Sequence, residues 1–64
     1  MNKIDKLRKR KVLSYNDIAK DAKVSAQYVY LLAKGKRNNP SLEIMKGIAN
    51  ALDEKVECVF DMEN

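Results

Sequence analysis

Two short amphipathic segments separated by a tight turn decide the fold, and they read SYNDIAKDAKVSAQYVYLLAKG over residues 14–35. Ser14 and Ser25 each precede a run of apolar residues at helical spacing, which is the position and residue type of a helix N-cap. Gly35 follows the second run, where a left-handed C-cap favours glycine. The sequence therefore predicts a helix behind each serine, over residues 15–22 and 26–34.

The second of these helices has two different faces at a period of 3.6 residues. Val29, Leu32 and Ala33 fall on one side, and we expect them to face the core together with Val24 of the turn. The opposite side carries Ala26, Gln27, Tyr30, Leu31 and Lys34. Such a mixed polar and apolar surface is suited to contact with another molecule.

Further helices are predicted on both sides of this pair. Asn2 is a suitable N-cap for a short helix that ends at Lys11, with Ile4 and Leu7 as its apolar residues. After a loop over residues 36–40, Ser41 caps the clearest amphipathic helix of the chain. Its apolar stripe consists of Leu42, Met45, Ile48, Ala49 and Leu52.

Periodicity leaves the tail open between two structures. Val56, Val59 and Phe60 fit one helical turn, whereas Val56, Cys58, Phe60 and Met62 fit the alternation of a strand. We expect one compact all-α domain over residues 1–64, with four or five helices and a short C-terminal helix or strand.

Composition narrows the class of protein. The chain is 45% hydrophobic and 34% charged, which is typical of a globular domain rather than a disordered chain. No apolar run is long enough to span a bilayer, and no apolar region of a secretory signal follows the charged residues at the N-terminus. Cys58 is the only cysteine. We expect a reduced, cytoplasmic setting without a membrane partner.

Charge is distributed unevenly along the chain. Residues 1–40 hold 11 Lys and Arg against three acidic residues, a net charge of +8, whereas residues 41–64 hold two against six, a net charge of −4. A basic half of this kind is the usual face for nucleic acid, although it can also be a solvated helix surface.

The stretch LSYNDIAKDAKVSAQYVYLLAKGKRNNPSLEIMKGIANAL, residues 13–52, resembles the phage Cro/CI-type helix-turn-helix family, also called the Xre family. The residues that carry the resemblance in the two-helix core are Ile18, Ala19, Val24, Ser25, Val29 and Leu32. With Ile4, Leu7 and Arg8 the resemblance extends over nearly the whole chain. It implies a repressor-like domain of four to five helices and favours a short fifth helix over a strand.

Three residues depart from the family pattern. Tyr15 stands where the family usually has a glutamine at the start of helix 2. Lys23 occupies a turn position that usually has glycine in a left-handed backbone, so that Lys23→Gly should stabilise the fold. Arg8 would face Ala33 instead of the usual glutamate, and we therefore expect Arg8 to be available for phosphate.

The resemblance implies a transcriptional regulator, and more specifically a repressor, that binds a palindromic operator in double-stranded DNA as a homodimer. Helix 3 would lie in the major groove, where the Gln27 amide matches the edge of adenine. The expected base-reading residues are Ala26, Gln27, Tyr30, Leu31 and Lys34. The expected phosphate-binding residues are Arg8, Ser14, Tyr15, Asn16, Ser25, Tyr28, Lys36, Arg37 and Asn38, with simple packing as the equal alternative for Tyr28.

The acidic C-terminal half is the expected dimer side, with Val59, Phe60 and Met62 as interface residues, although for Phe60 the size of the protein favours a place in the core of its own chain. The chain has no histidine, no metal-ligand cluster and no Gly-rich phosphate loop. We therefore expect no enzymatic activity, no cofactor, no metal and no small-molecule ligand. The alternative function is a protein-binding module, antitoxin-like or anti-repressor, which Tyr30, Leu31 and the missing glutamine favour.

Overall fold

The computed structural model describes residues 2–60, which form five α-helices and no strand. The all-α architecture predicted from the sequence is thereby confirmed. The helices are α1 (Ile4–Lys11), α2 (Tyr15–Ala22), α3 (Ala26–Ala33), α4 (Leu42–Ala51) and α5 (Val56–Val59). None of them is long and apolar enough to cross a membrane.

Three serines begin three of the helices, as predicted. The Oγ atoms of Ser14, Ser25 and Ser41 accept hydrogen bonds from the backbone N–H groups three residues later, at 3.0–3.2 Å. Asp17 also returns a bond, since its Oδ2 accepts from the Ser14 N–H at 3.0 Å. This reciprocal capping box fixes the start of α2.

The α1 helix begins later than predicted. Its N-cap is Lys3, which makes no side-chain capping bond, and Asn2 lies one residue outside it. The Asn2 Oδ1 atom still accepts from the Ile4 N–H at 3.1 Å, while its Nδ2 donates to the Leu32 carbonyl at 2.7 Å. Asn2 therefore ties the start of α1 to the end of α3.

One core unites all five helices. Its buried side chains are Ile4, Leu7, Ile18, Ala19, Val29, Leu32, Ile48, Ala49, Leu52, Val59 and Phe60. Val24 and Ala33 are partly buried against it. Leu42 is 51% exposed, which contradicts its place in the predicted stripe of α4. Met45 packs against the core as predicted, together with Ile44, which the predicted stripe did not include.

The tail forms the short helix that was predicted rather than the alternative strand. Residues 56–59 make one helical turn, and Phe60 then adopts an extended backbone that forms a single antiparallel bridge with Asn2. The Lys3 N–H also donates to the Val59 carbonyl at 2.8 Å. The two ends of the described chain therefore lie side by side.

Burial of the tail corrects the predicted dimer interface. Val59 is fully buried and Phe60 is 7% exposed, both within the core of their own chain. They do not present an apolar surface to a second chain, because a core this small needs both side chains. Met62, the third residue of that prediction, lies outside the described residues.

Candidate nucleic-acid interface

The outer face of α3 is the side that the core leaves uncovered. Gln27, Tyr30 and Lys34 are exposed on it, with Ala26 and Leu31 partly exposed beside them. Val29 and Leu32 are buried on the other side, so the predicted division of α3 into two faces is confirmed. The helix itself ends at Ala33, with Lys34 as its C-cap and Gly35 in a left-handed conformation.

A carboxylate that the sequence reading overlooked lies beside this face. The Oδ1 atom of Asp5 in α1 accepts a hydrogen bond from the Tyr15 hydroxyl at 2.6 Å and another from Arg8 Nε at 3.2 Å. Its Oδ2 is 3.0 Å from Lys34 Nζ. Asp5 thus joins α1 to the start of α2 and the end of α3. The only one of these contacts that the sequence indicates is the ion pair with Arg8, because the two residues are three apart on one helix.

These contacts correct the prediction for Arg8. Besides its ion pair with Asp5, Arg8 donates from Nη1 to the Leu13 carbonyl at 3.1 Å and stacks over the Tyr15 ring at 4.3 Å. The premise that Arg8 has no acidic partner is wrong, because Asp5 lies one turn away on the same helix. The resemblance implied an ion pair between an arginine of α1 and a glutamate near the end of α3. Here α1 supplies the acid, Asp5, and the end of α3 supplies the base, Lys34.

Tyr15, the first residue of α2, packs against Tyr30 on the outer face of α3. Its ring meets the ring of Tyr30 edge to face, with centroids 5.6 Å apart and planes at 89°. Lys34 Nζ lies 5.8 Å from the centroid of Tyr30 on the same helix. Tyr30 is 40% exposed between these two neighbours. The ring at position 15 therefore restricts the orientation of Tyr30. A glutamine at position 15 has no ring and would not make this edge-to-face contact.

The ionic groups of this cluster have shifted pKa values. Burial by itself raises the pKa of Asp5, but hydrogen bonds from Tyr15, Lys34 and Arg8 outweigh it and bring the pKa from 3.8 down to about 2. Burial and the bond to Asp5 raise the pKa of Tyr15. The hydrogen bond to Asp5 raises the pKa of Lys34. Asp5 and Lys34 are therefore both charged at neutral pH.

The N-termini of α2 and α3 differ in charge. Asp17 stands in the first turn of α2, and hydrogen bonds with Ser14 lower its pKa, so a negative charge already faces the α2 dipole. The first turn of α3 has no acidic residue. Ser25 therefore marks the helix start that is better suited to a phosphate, and the exposed Ser14 and Asn16 lie beside a carboxylate.

A cationic segment follows α3. Lys36, Arg37 and Asn38 are all exposed, and the Lys36 and Arg37 N–H groups donate to the Leu31 carbonyl at 2.8 and 3.2 Å. The Arg37 guanidinium lies 5.1 Å from the centroid of the Tyr28 ring, and Tyr28 is half-buried. Tyr28 is therefore partly packed within its own chain, which is the alternative to phosphate binding given for it above. Within residues 2–60, no group of side chains is arranged to hold a metal ion.

Comparison with known proteins finds similarity to helix-turn-helix proteins. A family model described as "Helix-turn-helix" matches residues 4–57. The HTH-type transcriptional regulator SlrR of Bacillus subtilis (strain 168) is 34% identical over 56 residues, an alignment that covers 88% of this chain. It covers only 37% of SlrR, so the chain spans well under half the length of that relative.

Proposed function

Because the chain belongs to the Cro/CI-type helix-turn-helix family, as its match over residues 4–57 shows, we propose that it binds an operator in double-stranded DNA through the outer face of α3. It acts there as a transcriptional regulator, and specifically as a repressor that excludes other proteins from the site. The observation that carries this proposal is the exposed Gln27 in the first turn of α3, on a face bordered by cations and free of acids in that turn.

Base recognition is assigned to the outer face of α3. The Gln27 amide donates and accepts at once, which matches the N6 and N7 edge of adenine. Tyr30, Leu31 and Ala26 add apolar contacts to thymine methyl groups. Lys34 is not included, since its Nζ is bound to Asp5.

Phosphate contacts are assigned to the side chains around that face. They are Ser14, Asn16, Ser25, Tyr28, Lys36, Arg37 and Asn38. These residues set the register on the duplex without reading its sequence. Tyr15 is left out because its hydroxyl donates to Asp5. Arg8 is left out because its Nε donates to Asp5 and its Nη1 donates to the Leu13 carbonyl.

Homodimer formation is part of the proposal on grounds of size. The longest dimension of the chain is 30 Å, whereas successive half-sites on one side of DNA lie about 34 Å apart. One chain therefore covers one half-site. We expect the dimer interface to use side chains other than Val59 and Phe60, because both are buried in the core of their own chain, and the part assigned to Met62 remains a prediction.

Selection of bound duplexes from a random pool tests operator recognition. We expect a palindromic site to be enriched, and we expect Gln27→Ala to lose discrimination by about 1–3 kcal/mol at the base pair that Gln27 reads. Asn50→Ala is the matched control, because Asn50 is exposed on α4 and outside the proposed face. It should select the same site as the wild type with the same preference.

The second candidate function is a protein-binding module, which the exposed ring of Tyr30 and the tyrosine at position 15 favour. A salt titration separates the two functions. Phosphate contacts make log K fall linearly and steeply with log salt concentration, whereas an apolar protein interface depends on salt far less. No enrichment of any duplex above bulk DNA would contradict operator binding and favour this candidate.

A further inference from the structure

The cations near the outer face of α3 are of two kinds. Lys34 and Arg8 are both paired with Asp5, and their side chains are 41% and 19% exposed. Lys36 and Arg37 are exposed and have no acidic partner within residues 2–60. The chain therefore pairs part of its positive charge with Asp5 at the surface where a polyanion is expected.

Asp5 is an unusual residue to find at such a surface. A carboxylate near phosphate is repelled. A cation that is bound to the carboxylate does not neutralise a phosphate, and it therefore releases no counterion from DNA. The side chain of Asp5 is 22% exposed and accepts bonds from three partners, so its charge is fixed in place. Its cost to binding is therefore a permanent property of the surface.

The same contacts favour one arrangement of the base-reading side. Lys34 Nζ lies 5.8 Å from the centroid of the Tyr30 ring, and Tyr15 meets that ring edge to face while donating to Asp5. Fixing these side chains before binding reduces the entropy lost when Tyr30 docks against bases. Binding through base contacts therefore gains affinity from the fixed orientation of Tyr30, whereas binding through phosphate contacts alone does not.

We propose that Asp5 is a specificity-determining residue: by binding Lys34 and Arg8 it lowers affinity for random DNA, and by ordering Tyr15 and Tyr30 it preserves affinity for the operator. This inference rests on the DNA-binding function proposed above. Asp5 raises the ratio of operator affinity to random-DNA affinity and reads no base itself.

Asp5→Asn tests the inference against a matched control, Asp21→Asn. Both substitutions raise the net charge by one, and Asp21 is exposed on α2 without an ion pair among the described residues. Asparagine keeps an oxygen for the Tyr15 hydroxyl but no longer holds the two cations. Fluorescence anisotropy gives the affinity for a selected operator duplex and for a random-sequence duplex across a salt series.

The expected result is a steeper salt dependence on random DNA for Asp5→Asn. The slope of log K against log salt concentration should grow by ~0.9 if one cation reaches a phosphate and by ~1.8 if both do. Affinity for random DNA should rise several-fold, and the operator-to-random ratio should fall. Asp21→Asn should retain the wild-type slope and ratio. Equal slopes and ratios for the two variants would overturn the inference.

A second pair of variants keeps the test decisive if Asp5→Asn does not fold. Lys36→Gln should reduce the slope on random DNA by ~0.9, whereas Lys34→Gln should reduce it by much less, since Asp5 already binds that lysine. Equal reductions would show that Lys34 reaches phosphate despite Asp5 and would overturn the inference. Wild-type protein without salt-dependent DNA binding would instead refute the proposed function on which the inference rests.

Discussion

At the scale of single residues, two non-glycine residues end helices in a left-handed backbone. Val12 follows α1 with φ 58° and ψ 50°, and Lys23 follows α2 with φ 58° and ψ 42°. Each N–H donates back into its helix, which explains why the conformation is kept. The strain at Lys23 was predicted from the sequence. Val12 is the more strained residue because a β-branched side chain tolerates this region poorly.

We expect Val12→Gly to raise the free energy of unfolding by about 1 kcal/mol, since it removes strain of about 1–2 kcal/mol and glycine returns only part of that as chain entropy. No packing is lost, because Val12 is 88% exposed. Lys23→Gly should act in the same direction and by less. Urea denaturation measures both, with Val12→Ala as the control that loses the β-branch but keeps a Cβ atom in the left-handed region, so that it should gain less than Val12→Gly. A destabilised Val12→Gly variant would contradict this account.

At the scale of helices, α2 is held between α3 and α4, and one glycine sets its distance from α4. A Cβ atom placed on Gly47 would lie 2.7 Å from Ala22 Cα and 3.2 Å from the Asp21 carbonyl oxygen. The backbones of the two helices therefore meet at this point. Glycine is unfavourable in a helix interior, so its presence in the middle of α4 was a readable sign of close approach.

We expect Gly47→Ala to lower the free energy of unfolding by up to about 2 kcal/mol net, because the clash forces α4 away from α2 at a cost of about 1–3 kcal/mol. This outweighs the gain of about 1 kcal/mol in helix propensity. Asn50→Ala, on the same helix at an exposed position, gains propensity without a clash and should be neutral or stabilising. Thermal unfolding compares the two, and a higher melting temperature for Gly47→Ala would contradict the close packing.

At the scale of the whole molecule, the first and last described residues complete one core. Phe60 is buried beside Val59, and its backbone pairs with Asn2, which in turn bonds to the Leu32 carbonyl at the end of α3. The tail therefore supports the position of the proposed DNA-binding helix from the opposite end of the chain. Removing contacts of Phe60 should weaken the entire fold.

We expect Phe60→Leu to reduce the free energy of unfolding by about 1 kcal/mol, through lost packing in its own chain. A core role predicts the same loss at every protein concentration, whereas an interface role predicts a change in how the melting temperature depends on concentration. Thermal melts over a hundredfold concentration range measure this. Cys58→Ser is the control, since Cys58 is exposed two residues away.

The sequence predicted most of what depends on near neighbours. Serine at the start of three helices forms bonds to N–H groups three residues later, and Gly35 and Lys23 have the left-handed backbone expected of them. The two faces of α3 followed from helical periodicity, which places Gln27 and Tyr30 opposite Val29. These features need only residues within one or two turns, so the order of residues is sufficient to determine them.

Only the tertiary structure decided how distant residues meet. Asp5 lies ten residues from Tyr15, and Asn2 lies 30 residues from its partner Leu32, so neither contact has a local pattern. Val59 and Phe60 were readable as apolar, but their burial depends on where the tail meets Asn2 and Lys3 just before α1. By itself the sequence determined α2, α3 and α4 with their serine caps, and the exposed face of α3. The ion pairs of that face and the role of the tail were decided by the packing of helices, because their energies arise between segments that the chain order leaves far apart.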